Sequence, residues 1–163
     1  MRGEETEVLP VYIELEALVE AVRHCREGLP YEVIGFLVGE RLKWKDKLYV
    51  FVTDSVRGRS VSTRTHVEFD RDALAEVAGL IRRGHPESEI VGWYHSHPGY
   101  GCFMSPTDIR SHVTSFPYPH QVALVIDPVR GEATFFKVDE DGDYRSVPSA
   151  VVRRSRGQDR RGA

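Results

Sequence analysis

Two histidines alternate at His95-Ser96-His97-Pro98, directly after the apolar run Ile90-Val91-Gly92-Trp93-Tyr94, and Asp108 follows ten residues beyond Pro98. In a strand, residues i and i+2 point to the same face, so both imidazoles can face one point. Asp108 lies where a helix begins. If the three side chains are to meet, a strand end must sit beside the first turn of the next helix. The loop Pro98–Met104 must then fold back between them. Two imidazoles and a carboxylate suit zinc, and three protein ligands keep a fourth position open for water, as in a hydrolase rather than a structural site. The residues alone leave plainer readings open. H-x-H pairs are common, and Ser105-Pro106-Thr107-Asp108 is also a good helix start, with serine as N-cap, proline first and an acid third. The two readings of Asp108 are compatible, because a cap fixes the backbone while the carboxylate can still face the histidines.

The rest of the chain supplies a mixed α/β order in which such a strand end can be buried. Val11 to Ile13 reads as a short strand. From Glu14, the apolar positions Leu15, Leu18, Val19 and Val22 repeat at helical spacing, and Gly28 with Pro30 ends that helix. Val33 to Val38 has the length of a buried strand. Gly39 and the charged stretch to Lys47 read as a turn, and Leu48 to Thr53 pairs back as a hairpin. Ser60 to Phe69 is a loop or edge strand. Asp70 can N-cap a helix through Arg83, with Leu74, Val77, Leu80 and Ile81 inward and Gly84 as the stop. Ile90 to His95 is a strand, Gly99 to Met104 a glycine-containing loop, and Ser105 to about Val113 a short helix. Val122 to Ile126 and Ala133 to Val138 read as the last two strands, joined through Asp127-Pro128 and Gly131. Residues 1–152 are expected to form one domain, and the arginine-rich segment 153–163 a disordered basic tail.

Composition narrows the classes. The 163 residues are 40% hydrophobic and 29% charged, enough to build a core without disulfides. Cys25 and Cys102 form no framework and read as free thiols of a reducing compartment. A formal charge of −3 gives no general attraction to nucleic acid. No leader and no membrane-length apolar run is seen, so a cytoplasmic protein is expected. A Cys–His enzyme built on Cys102 would need an activated thiolate and an orienting partner. The histidines are better used as ligands, and Cys102 reads as a buried loop residue. His24, His66, His85, His112 and His120 have no partner spacing, and Trp93 and Tyr94 read as core and pocket wall.

Three segments together carry a resemblance. Glu32-Val33-Ile34-Gly35-Phe36-Leu37-Val38-Gly39, then Gly92-Trp93-Tyr94-His95-Ser96-His97-Pro98-Gly99-Tyr100-Gly101-Cys102, then Ser105 and Asp108, resemble the JAMM (MPN-plus) metalloprotease family. The stretch Val91–Cys102 is most similar to the deubiquitinase of the proteasome lid and the deneddylase of the signalosome. The resemblance covers roughly Val11 to Val138. It implies a curved mixed β-sheet flanked by helices, an α/β MPN/JAB domain of the cytidine-deaminase-like kind.

By position, the resemblance makes His95, His97 and Asp108 ligands of one catalytic Zn2+. It makes Glu32 the general acid/base and Ser105 the stabiliser of the tetrahedral intermediate. Without it, Glu32 reads as a solvated acid at the start of a strand. The implied activity is hydrolysis of the bond between ubiquitin, or a ubiquitin-like modifier, and a substrate lysine, with the proteasome or a similar assembly as partner. The segment Arg59 to Ala78, with Val61, Val67 and Phe69, and the loop holding Gly101 and Cys102 are the implied substrate contacts; ordinary packing is the alternative for the first three. Two other functions stay open. One is a metallohydrolase acting on sulfur-carrier tails or small peptide-like molecules, and the other is a non-catalytic interaction module. The long C-terminal helices of eukaryotic lid subunits are not seen, which suggests a compact, prokaryotic stand-alone enzyme.

Overall fold

A computed structural model describes residues 7–58, 60–62, 67–69, 71–84 and 87–153. Strand β1 (Val11–Glu14) leads into helix α1 (Leu15–Glu27), then β2 (Ile34–Trp44) and β3 (Lys47–Arg57). Among the described residues, the short strands β4 (Ser60–Ser62) and β5 (Val67–Phe69) form a separate two-stranded sheet, ahead of α2 (Arg71–Gly84). Then come β6 (Glu89–Ser96), α3 (Pro106–Ser115), β7 (Val122–Asp127), β8 (Glu132–Val138), β9 (Tyr144–Val147) and β10 (Ser149–Val152). Eight strands form one curved mixed sheet in the order β10-β1-β3-β2-β6-β7-β8-β9. β9 and β10 lie at opposite edges of that order, yet only Pro148 separates them in the chain. The sheet therefore curves until its two edges approach each other.

The two faces carry separate cores. α1 packs on one face, over Leu37, Tyr94, Leu124 and Ile126. α2 and the loop before α3 cover the other, which holds Ile34, Phe36, Trp93 and Val125. The buried stripe of α1 is Ala17, Ala21 and Cys25, at i, i+4 and i+8, with Leu18 and Val22 half-buried beside it. Small side chains on that stripe let the helix lie close to the sheet. Val19, expected inward, is 42% exposed because it falls off this stripe. On α2, Ala73 and Val77 are buried and Leu74 and Ile81 half-buried. Asp70 and the Leu80 side chain lie outside the described residues, as does the tail from residue 154.

Two expectations are corrected. The turn placed from Gly39 to Lys47 is in fact two residues, Lys45 and Asp46, both at positive φ (45° and 68°). This is the hairpin geometry that matches strand twist. Gly39 is a strand residue beside a bulge, and a Cβ there would lie 1.9 Å from the Phe51 carbonyl oxygen. It is glycine for close approach, not for turning. β8 is also not the last strand, since β9 pairs with β8 and β10 runs parallel to β1. Their largely exposed, Pro-interrupted sequence carries no apolar alternation. Among the described residues, no helix is long and apolar enough to cross a membrane.

Candidate metal centre

β6 is buried along its second half and carries His95 onto the Trp93 face of the sheet. His97, two residues on, falls on the same side. The backbone N–H of His97 donates to the Ile126 carbonyl (2.9 Å), tying the strand end to β7. α3 starts with a capping box: Ser105 Oγ accepts the Asp108 N–H (3.1 Å), and Asp108 Oδ2 accepts the Ser105 N–H (2.9 Å). The same Oδ2 lies 3.1 Å from Nε2 of both His95 and His97. Both readings of Asp108 therefore hold at once. The cap fixes the carboxylate, and the carboxylate meets the imidazoles.

His95, His97 and Asp108 are all buried, with one donor atom from each within 4.8 Å of the others. Their charge balance and alignment fit a cation. Nε2 of His95 approaches Asp108 out of hydrogen-bonding alignment, so neither ring nitrogen of this fully buried imidazole has a hydrogen-bond partner among the described residues. His97 Nδ1 sits 3.0 Å from the Gly101 carbonyl oxygen. Donating there leaves Nε2 with its lone pair toward the cluster, as a metal ligand requires. Burial works to raise the Asp108 pKa, but the two imidazoles and the Ser105 N–H outweigh it and hold the carboxyl far below its usual range. Imidazole, imidazole and carboxylate form a donor set suited to zinc.

The ring of His95 is set by packing. Trp93 stacks on it at 4.4 Å and 17°, and the Trp93 indole N–H donates to His112 Nδ1 (2.9 Å). His112 can accept only as the neutral imidazole. Burial, with the His95 charge, pulls its pKa down to about 4. His24 is likewise hydrogen-bonded, with the Tyr94 hydroxyl, and His120 lies against the Glu89 carboxylate without a hydrogen bond; His66 and His85 lie outside the described residues.

Glu32 is brought in by strand register. Ile34 pairs with His95 across β2 and β6. One step further, Ser96 N–H donates to the Val33 carbonyl (3.1 Å) and Val33 N–H to Ser96 Oγ (2.8 Å). Continuing this antiparallel ladder sets Glu32 opposite His97, on the face that His95 and Ile34 share. Glu32 is only 5% exposed, not solvated. Burial raises its pKa, partly offset by a hydrogen bond from the Tyr100 hydroxyl and by the His97 and His95 charges.

The Gly99–Met104 loop closes over His97. Tyr100 stacks on the imidazole (4.9 Å), and Phe103 lies at 4.7 Å. Cys102 is half-buried, with its thiol toward the Val125 carbonyl and its pKa raised by burial, which suits packing rather than nucleophilic attack. Both cysteines are free thiols. Gly101 is buried and faces His97 through its carbonyl. For Val61, Val67 and Phe69 the structure describes the β4–β5 backbone but not the side chains. The sequence alone points to no role for Tyr100, Phe103 or Asp127, and His112, read there as having no partner spacing, is in fact the acceptor of the Trp93 indole N–H. The Gly-x-Gly after the histidines and the Asp-Pro at a strand end were the available signals.

This fold and site define a mixed α/β domain with a buried two-histidine, one-carboxylate centre at the end of a central strand. The family model described as JAB1/Mov34/MPN/PAD-1 ubiquitin protease matches residues 6–116, and the chain belongs to this family. It is 39% identical over 124 residues to the 26S proteasome regulatory subunit rpn11 of Schizosaccharomyces pombe, covering 74% of this chain and 39% of that protein. It is 35% identical over 123 residues to the ubiquitin carboxyl-terminal hydrolase RPN11 of Saccharomyces cerevisiae, with the same coverages, 74% and 39%. To the COP9 signalosome complex subunit 5 of Eremothecium gossypii it is 34% identical over 154 residues, covering 90% of this chain and 35% of that protein. The chain spans less than half the length of each of these relatives. A solution structure of a Desulfitobacterium hafniense protein shares the fold, with a TM-score of 0.73 at 20% identity over 91% of this chain and 97% of that one.

Proposed function

We propose that the chain is a zinc-dependent isopeptidase that cleaves the bond between the C-terminus of ubiquitin, or of a ubiquitin-like modifier, and a lysine side chain. The observation that carries this reading is the buried carboxylate of Glu32 opposite His97, beside a convergent His95, His97 and Asp108. The printed names of the relatives supply the substrate class. Zinc, when held by His95, His97 and Asp108, would act as a Lewis acid and lower the pKa of a water ligand to about 7.

The chain's own residues do the rest. Glu32, with its pKa raised by burial, takes the proton of the attacking water and returns it to the departing lysine ε-nitrogen, a poor leaving group unless protonated. The capping box uses Ser105 Oγ only as an acceptor, so its O–H can donate to the scissile carbonyl oxygen as charge develops, worth about 3 kcal/mol in such sites. Tyr100 and Phe103 exclude water from one side of His97. The catalytic unit is residues 1–152. Val61, Val67 and Phe69, with Gly101 and Cys102, border the bound modifier tail as it lies extended beside a strand. The setting is cytoplasmic, with a proteasome-like assembly as partner.

The test incubates the purified protein with ubiquitin-like conjugates and with linear fusions, with and without chelator. Chelator-sensitive release of the modifier from lysine is expected. Cleavage that survives metal removal, or no cleavage of any conjugate by zinc-loaded protein, overturns the reading.

A further inference from the structure

One buried carboxylate near the centre takes no part in the chemistry above. Asp127 ends β7, and the parallel register that sets Ser96 beside Ile126 sets Asp127 beside His97. Its side chain is fully buried. Oδ1 accepts N–H bonds from Gly99 (2.9 Å), Val129 (3.0 Å) and Arg130 (3.0 Å), and Oδ2 accepts that of Gly101 (2.8 Å). Four amides pointing at one side chain call for an acceptor-only group with several lone pairs, which an ionised carboxylate is and an amide is not. Gly99 and Gly101 sit at φ of +86° and +85°, so the loop owes its path to these two residues and to the carboxylate that grips both.

What that grip holds is the centre itself. The Gly101 carbonyl faces His97 Nδ1 at 3.0 Å. Tyr100, between the two gripped glycines, stacks on His97 and donates to Glu32. We propose that Asp127 is a positioning residue that sets metal affinity: by fixing the Gly99 and Gly101 amides it aims the Gly101 carbonyl at His97, selecting the ring tautomer and orientation that present Nε2 to the metal. The inference rests on the metal-centre reading of His95, His97 and Asp108. Its force comes from an asymmetry between the ligands. His95 stacks on Trp93 and has no hydrogen-bond partner at Nδ1 among the described residues, whereas His97, which stacks on Tyr100 and meets Asp108 through Nε2, has its Nδ1 set by this carbonyl.

The test compares zinc affinity, by competition with a chelator of known affinity, and metal-free thermal unfolding for the wild type and Asp127→Asn. Zinc binding is expected to weaken about 10- to 100-fold, the usual effect of losing a group that orients a ligand. A folded Asp127→Asn with a lowered melting temperature but wild-type zinc affinity overturns the inference, since that is what a merely structural brace would do. A second measurement needs no variant. Coupling is reciprocal, so if the grip favours zinc, zinc must favour the grip. In the wild type, zinc is therefore expected to slow hydrogen exchange at the Gly99 and Gly101 amides by a comparable factor, and equal exchange with and without zinc overturns the inference. A wild type that takes up no zinc removes the metal-centre reading as well. A wild type that binds zinc but fails either comparison removes this inference alone.

Discussion

Glu32→Gln separates proton transfer from every other role of that position. Glutamine keeps the volume and an oxygen for the Tyr100 hydroxyl, and loses only the ability to carry a proton. Glu32 is not among the three residues whose donor atoms converge, so zinc stoichiometry is expected to stay at the wild-type value. General acid–base catalysis is worth about 10²–10⁴ in rate. The upper part of that range applies here. Of the other buried carboxylates near the centre, Asp108 is held far below the usual range by His95, His97 and the Ser105 N–H, and Asp127 is held below it by four backbone amides, so both are too weak as bases to stand in. A loss of about 10³–10⁴, or about 4–5 kcal/mol of barrier, is expected in single-turnover cleavage of a conjugate. Stability gives an assay that needs no substrate. Burial raises the Glu32 pKa in the folded chain above its unfolded value. Between the two values the folded state binds more proton than the unfolded one. The Glu32 contribution to wild-type stability therefore falls as pH rises from the ordinary carboxylate range through the folded pKa, and levels off above it. Glu32→Gln lacks that fall, so in metal-free protein it is expected to gain on the wild type across this window and keep the gain at neutral pH. Turnover within tenfold of the wild type, or denaturation curves that shift in parallel with pH, would refute the assignment.

Three further outcomes are expected. His97→Ala should abolish stoichiometric zinc uptake, measured by metal analysis after desalting. Trp93→Phe should keep the stack on His95 but leave His112 Nδ1 buried without its donor, lowering stability in denaturant titrations by about 1–3 kcal/mol. His112, drawn down to about 4 from 6.5, contributes stability that is fully present above pH 6.5 and is lost as pH falls toward 4. The contribution is about 3 kcal/mol, and His112→Gln should flatten the stability profile in that window.

Elements with a strong period were legible in the sequence. The β6 run ending in His95-Ser96-His97, the helix started by Ser105-Pro106, and α1 stopped at Gly28 all lie within a few residues of where they were expected. The sequence did not reveal what tertiary packing decides. Gly39 carries the same letter whether it turns the chain or lets Phe51 approach, and β9 and β10 are held by register with β8 and β1 rather than by apolar alternation. At the site, the histidine pair and Asp108 were readable because strand and cap periodicity place them. Glu32 needed the fold, since its place opposite His97 follows from the β2–β6 register across more than sixty intervening residues. Asp127 passed as half of an Asp-Pro turn because its partners are backbone amides, which no side-chain pattern announces.

The seam at Pro148 has a mechanical consequence. β1 and β10 lie side by side and parallel, from Val11 beside Ser149 to Glu14 beside Val152. The segment preceding β1 and the segment following β10 leave this pair at opposite ends. Tension between those flanks slides the two strands along their own axes in opposite directions. The hydrogen bonds between them are then loaded together in shear rather than opened one by one. β3, parallel to β1 on its other side, extends the clamp into the hairpin whose other strand, β2, runs back toward Glu32. A pull along the chain therefore loads this sheared pair before it reaches the metal centre.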